Sequence, residues 1–136
     1  MRTLILFTGL ISMLGLGSCM EQNSEQTTEF KSLNPKDFKQ QMEKEPGTVL
    51  DVRTPQEVAE GVISGAVNIN LFDEDFSDRA AKLDKNKPVY VYCKVGGRSA
   101  NAAGQLVGMG FKEVYNLTGG MDAWKAAGLE TTTLKE

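Results

Sequence analysis

A single stretch of this chain carries the residue types that reactive sulfur chemistry requires. Cys93 closes the run Val89-Tyr90-Val91-Tyr92-Cys93, and Lys94-Val95-Gly96-Gly97-Arg98-Ser99 follows it. The β-branched and aromatic run predicts a buried strand. The glycine pair predicts a tight loop whose N–H groups turn inward, and Ser99 to Met109 has helical spacing. A sulfur at the carboxyl end of a strand, ringed by N–H groups and backed by a helix N-terminus, is favoured as a thiolate. The chain has no histidine, so no imidazole activates this thiol. Activation falls to backbone dipoles and fixed cations. Val95, Gly96, Gly97 and Ser99 form the loop that would hold a substrate. Arg98 closes the ring, and its fork suits an anionic substrate or the charge that develops during transfer. Lys94 would help to attract that substrate.

The surrounding charge pattern points the same way. From Lys85 to Lys112 the chain has Lys85, Lys87, Lys94, Arg98 and Lys112 and no acidic residue, although the whole chain carries a net charge of −3. This reads as a local positive field for a small anion such as thiosulfate, a polysulfide or a persulfide. The acidic overall balance offers nothing for nucleic acid. At 136 residues the chain has room for one domain and one core.

The N-terminus reads as a targeting segment. Met1-Arg2 is a short positive start, Leu4 to Leu16 is apolar, and Gly17-Ser18-Cys19 follows. The run is short for a membrane span and fits a signal peptide. Leu16-Gly17-Ser18-Cys19 resembles the lipobox of bacterial lipoproteins, which implies cleavage after residue 18 and a lipid anchor on Cys19. The expected organisation is a signal peptide over 1–18, a polar tether over 19–28 and a globular domain over 29–136. The expected location is the bacterial cell envelope, on the periplasmic side. Met20 after Cys19 leans toward an outer membrane. With Cys19 lipidated, Cys93 is the one free thiol and no internal disulfide can form. One free cysteine and no histidine exclude a structural zinc site, and no metal or cofactor is expected.

The loop must be positioned by regular elements. Asn34-Pro35 predicts an N-cap and first helical residue, opening a helix to about Lys44. Thr48–Val52 predicts a strand, and Thr54-Pro55 a helix to about Glu60. Gly65–Ile69 leads into a short strand, Asp73–Leu83 into a helix whose charges suit its dipole. Val114–Leu117 predicts a strand and Met121–Ala127 a last helix. Alternating strands and helices with short connections imply an α/β fold, a small parallel sheet with helices on both faces. Ligands bind such sheets beyond the carboxyl ends of the strands, which is where Cys93 falls. Trp124, Phe111, Tyr90 and Tyr92 read as core. Asp51 and Arg53 read as structural neighbours of the site, with Arg53 paired to a carboxylate such as Glu60 and Asp51 bonded to nearby backbone.

In order and spacing, several segments resemble the rhodanese-like domains, single-domain sulfurtransferases. They are Asp51-Val52-Arg53-Thr54-Pro55, Glu57 with Glu60-Gly61, Gly65-Ala66-Val67-Asn68-Ile69, the loop Cys93–Ser99, Gly110-Phe111, and Leu117 to Trp124 with Ala127-Gly128-Leu129. The resemblance spans roughly Glu29 to Leu129. Two departures stand out: Val62 and Ser64 replace a histidine and a proline common in the family, and Glu130 replaces a proline. The first puts turn rigidity in question more than chemistry.

The resemblance implies a persulfide cycle. Cys93 would take sulfane sulfur from an anionic donor and pass it to a thiol or cyanide acceptor, or to a protein acceptor. Two alternatives stay open. One is a non-catalytic binding or sulfur-carrier module of the same fold. The other is a phosphatase or arsenate reductase. Related phosphatases place five residues between cysteine and arginine, while Cys93 and Arg98 are separated by four. The shorter loop suits a sulfur substituent better than a phosphoryl group.

Overall fold

The computed structural model describes residues 29–135. The signal peptide, Cys19 and the tether expected from the sequence lie outside the described residues.

Ten elements follow one another: β1 (Lys31–Leu33), α1 (Pro35–Lys44), β2 (Thr48–Asp51), α2 (Pro55–Ala59), β3 (Val67–Asn68), α3 (Phe76–Ala80), β4 (Val89–Tyr92), α4 (Gly97–Gly108), β5 (Val114–Leu117) and α5 (Gly120–Ala126). The strands form one sheet in the order β1-β5-β4-β2-β3. All four pairings are parallel. β4 is central and buried along its whole length, so the residue that follows it emerges from the middle of the sheet.

Local signals set the helix starts. Asn34 caps α1 by accepting from the Asp37 N–H at 2.9 Å. Thr54 caps α2 within a capping box, its hydroxyl facing the Glu57 N–H while the Glu57 carboxylate reaches back. Alternation along the strands then separates two cores. Leu50, Val52, Val89, Val91 and Cys93 pack under α3 and α4 with Ala102, Ala103, Leu106 and Phe111. Val49, Tyr90, Tyr92 and Leu117 pack on the other face with Phe38 of α1 and Met121 and Trp124 of α5.

The sequence reading misses β1. Lys31-Ser32-Leu33 has no apolar alternation, and the segment is held at the sheet edge by backbone pairing with β5. The helix expected over Asp73–Leu83 shrinks to Phe76–Ala80, because its ends close as turns: the Asp73 N–H donates to Asn70 and the Leu83 N–H to Ala80. Val62, where the family histidine is absent, is clamped by the C-terminal tail. Val62 and Thr132 exchange both backbone hydrogen bonds, at 2.7 and 2.8 Å. Beyond α5, the Trp124 indole donates to the Glu130 carbonyl at 2.9 Å.

Arg53 is paired differently from the expectation. Its partner is Asp51, not Glu60. Arg53 Nε donates to both Asp51 oxygens at 3.0 and 3.1 Å, and Nη2 donates to Oδ2 at 2.7 Å. Nη2 also donates to the Gly61 carbonyl at 2.7 Å. Two residues apart at the end of a strand, the two side chains lie on the same face, which is why the near partner wins. Both are buried. Replacing Arg53 with methionine would strand the Asp51 charge, so Arg53→Met is expected to cost about 3–5 kcal/mol in urea unfolding.

Candidate active site

Cys93 is the first residue after β4 and is fully buried. The chain turns over it at once. The Gly96 N–H donates to Cys93 Sγ at 3.1 Å. Ser99 Oγ lies 3.4 Å from Sγ and donates to the Gly96 carbonyl at 3.1 Å. Gly96 makes the turn possible: its φ of 109° lies where side chains are strained, and it serves as the N-cap of α4. The helix begins at Gly97, earlier than the sequence spacing suggested, so its first turn faces the sulfur directly.

The loop is held from behind by α5. The Met121 N–H donates to the Cys93 carbonyl at 2.8 Å, and the Asp122 N–H to the Lys94 carbonyl at 3.0 Å. Gly120 permits this approach, since a Cβ there would stand 2.5 Å from the Lys94 carbonyl carbon and oxygen.

Burial pushes the Cys93 thiol up, but the Ser99 hydroxyl and the N–H groups of Ser99, Gly96 and Val95 favour the anion more strongly. The net effect lowers the thiol below its ordinary value. The Ser99 hydroxyl and the loop N–H groups thus favour the thiolate with no imidazole in the chain.

The cations are arranged differently from the sequence reading. Arg98 faces Glu57 as well as the loop: Nη1 and Nη2 donate to Oε1 and Oε2 of Glu57 at 2.7 and 2.8 Å. This bidentate contact holds the Glu57 carboxyl at about 2, well below its usual range. Phe72 stacks over the guanidinium, 5.7 Å from ring centroid to Cζ. Lys94 Nζ pairs with Asp122 Oδ2 at 2.7 Å on the surface. The segment that reads as uniformly basic therefore meets acids brought from α2 and α5. Asp51 and Arg53 lie at the end of the neighbouring strand and act as the buried clamp already described.

Val95 is exposed at 63% at the tip of the loop, and Phe72 at 68% beside Arg98. The sequence reading assigned no role to Phe72, Glu57 or Asp122. Glu57 leaves a local signal in the Thr54-x-x-Glu57 capping-box spacing, and Asp122 falls in the run Leu117 to Trp124 that carries the resemblance, whereas Phe72 lies in none of those segments. Among the described residues, no group of three or more cysteines and carboxylates is placed to hold a metal ion.

A parallel α/β domain whose one described cysteine sits at the head of a four-residue loop at the end of the central strand, its thiol lowered below the ordinary value, defines a compact class of proteins. This chain belongs to the family of the Rhodanese-like domain, which matches residues 34–127. It is similar to the thiosulfate sulfurtransferase GlpE of Pseudomonas putida, 36% identical over 99 residues, covering 73% of this chain and 88% of that protein. The GlpE of Coxiella burnetii is 42% identical over 79 residues, covering 57% of this chain and 71% of that one. Among solved structures, a rhodanese-related protein from Thermoplasma volcanium has a TM-score of 0.68 and 30% identity, covering 77% of this chain and all of its own. A rhodanese-like domain protein from Staphylococcus aureus has a TM-score of 0.65 and 31% identity, covering 78% of this chain and all of its own.

Proposed function

We propose that this protein is a sulfurtransferase that carries sulfane sulfur on Cys93. The observation that carries the reading is the thiol itself: Sγ accepts from the Gly96 N–H at 3.1 Å inside a loop of four residues. The relatives named thiosulfate sulfurtransferase support it.

With thiosulfate as donor, the Cys93 thiolate attacks the outer sulfur. A new S–S bond forms, the sulfur–sulfonate bond breaks, and sulfite leaves with the bonding electron pair. The persulfide anion left on Cys93 keeps the single negative charge. Its outer sulfur sits among the inward N–H groups of the loop. A thiolate or cyanide acceptor then attacks that outer sulfur, and the electron pair of the S–S bond returns to Cys93. Each half-reaction leaves a stable enzyme form, so ping-pong kinetics are expected.

Intact mass spectrometry tests this directly. After incubation with thiosulfate, the protein should gain one sulfur atom, and cyanide should remove it with release of thiocyanate. No gain from thiosulfate, polysulfide or glutathione persulfide in folded protein would overturn the reading.

The N-terminal segment adds a location. Residues 1–18 act as a signal peptide, Cys19 carries lipid, residues 19–28 form a tether, and the domain faces the periplasmic side of a bacterial envelope membrane. The support is the apolar run ending in Leu16-Gly17-Ser18-Cys19. Several acyl chains on one residue make a lasting anchor where one alone is marginal. Cys19→Ala should move the full-length protein out of the membrane fraction; unchanged fractionation would sink the anchor.

A further inference from the structure

Arg98 stands near enough to Cys93 for the two charges to interact, yet its two Nη atoms are both engaged by one carboxylate. Nη1 and Nη2 donate to the two oxygens of Glu57 at 2.7 and 2.8 Å. Phe72 covers a face of the same guanidinium. Glu57 is itself pinned, because Oε1 also accepts from the Thr54 hydroxyl at 3.1 Å in the capping box of α2. The pair is only part-buried, 22% and 23% exposed, so its charges are felt at the mouth of the loop. Two further cations near the loop are also paired: Lys94 with Asp122 from α5, and Arg53 with Asp51 at the end of β2.

From this geometry we infer that Glu57 is a positioning and specificity-determining residue, which holds Arg98 against α2 and thereby limits how strongly the Cys93 site attracts anions. The inference deepens the sulfurtransferase reading by naming a control on donor charge, and it rests on that reading for its meaning in turnover. The physical consequence is independent of turnover. With Arg98 compensated, the reactive sulfur is stabilised by the Ser99 hydroxyl and the N–H groups of Ser99, Gly96 and Val95, which act at contact range. An anionic reagent approaching from solvent gains little from a neutralised pair. The site accordingly tolerates donors of low charge alongside dianions such as thiosulfate.

Two alkylating reagents separate this role from a merely structural one. Iodoacetate is an anion and iodoacetamide is neutral, and both react with the Cys93 thiolate. Their rate ratio reads the local potential, while a loosened loop moves both rates together. In full-length protein, Glu57→Gln keeps an oxygen toward Thr54 and Arg98 and removes the charge. The iodoacetate-to-iodoacetamide ratio is expected to rise about three- to tenfold at low salt, and the rise should shrink as salt screens it. Arg98→Gln leaves the Glu57 carboxylate unmatched, and the ratio should fall by a similar factor. An unchanged ratio in folded Glu57→Gln overturns the inference. Should that variant not fold, Arg98→Gln decides, and a ratio that does not fall overturns it. Absence of any persulfide in mass spectrometry, with the ratio shifted as expected, would refute the sulfurtransferase reading while leaving the role of Glu57 in place.

Discussion

Cys93→Ser is expected to abolish sulfur transfer, with a loss on the order of 10⁴-fold or more, and to leave the fold intact. The oxygen of serine is a far weaker nucleophile at neutral pH and forms no persulfide equivalent, so neither half-reaction can begin. The structural cost is small because serine has nearly the same shape and a better-hydrogen-bonding atom. Its hydroxyl inherits the Gly96 N–H as donor and Ser99 Oγ as a neighbour, so no buried polar group is left unpaired. The loss of stability should stay under about 1 kcal/mol. Thiocyanate release measures the first part and urea unfolding the second. Residual turnover within about a hundredfold of the parent protein would show that Cys93 is not the sulfur carrier.

Gly120→Ala carries the second largest effect, and it acts on both stability and activity. Gly120 has a φ of +59°, in the left-handed region, where a side chain costs about 1 kcal/mol. The larger cost is steric. The added Cβ would lie 2.5 Å from Lys94 C and O and 2.6 Å from the Cys93 carbonyl oxygen. These are backbone atoms that cannot swing aside as a side chain tip would. Either α5 or the loop must move, at roughly another 1–3 kcal/mol. Movement would lengthen the hydrogen bonds from Met121 N–H and Asp122 N–H that brace the loop, and the Gly96 N–H would shift relative to the sulfur. A combined loss of about 2–4 kcal/mol is expected in urea unfolding. Turnover should drop together with a rise of the Cys93 alkylation midpoint toward the ordinary thiol value. A variant with unaltered stability would mean that α5 does not brace the loop.

Much of the architecture was legible because its signals are local. Asn34-Pro35 and Thr54-Pro55 announce helix starts through capping and a preset φ, and both helices begin there. Val89 to Tyr92 reads as a buried strand because it is apolar without interruption, and it is the strand buried along its whole length. β1 was not legible. A three-residue edge strand with Lys31 and Ser32 owes its conformation to backbone pairing with β5, and backbone pairing leaves no trace in side-chain type. The Arg53–Asp51 pair was half legible: a carboxylate partner for Arg53 was expected, and its identity depended on which carboxylate the strand end brought within reach.

The candidate site divides along the same line. The order cysteine, glycine pair, arginine, helix determined by itself that a thiol would sit in a ring of N–H groups, since each step follows from short-range backbone geometry. The absence of histidine left activation to backbone dipoles and fixed cations, and the part of the Ser99 hydroxyl emerged only in the folded loop. The charge around the sulfur was decided only by the tertiary structure. Along the chain, Lys94 and Arg98 stand in a segment without acids; in space, Asp122 and Glu57 arrive from α5 and α2 to meet them. Electrostatic energy depends on distance through space, and a parallel sheet brings together at its carboxyl edge loops separated by tens of residues in sequence.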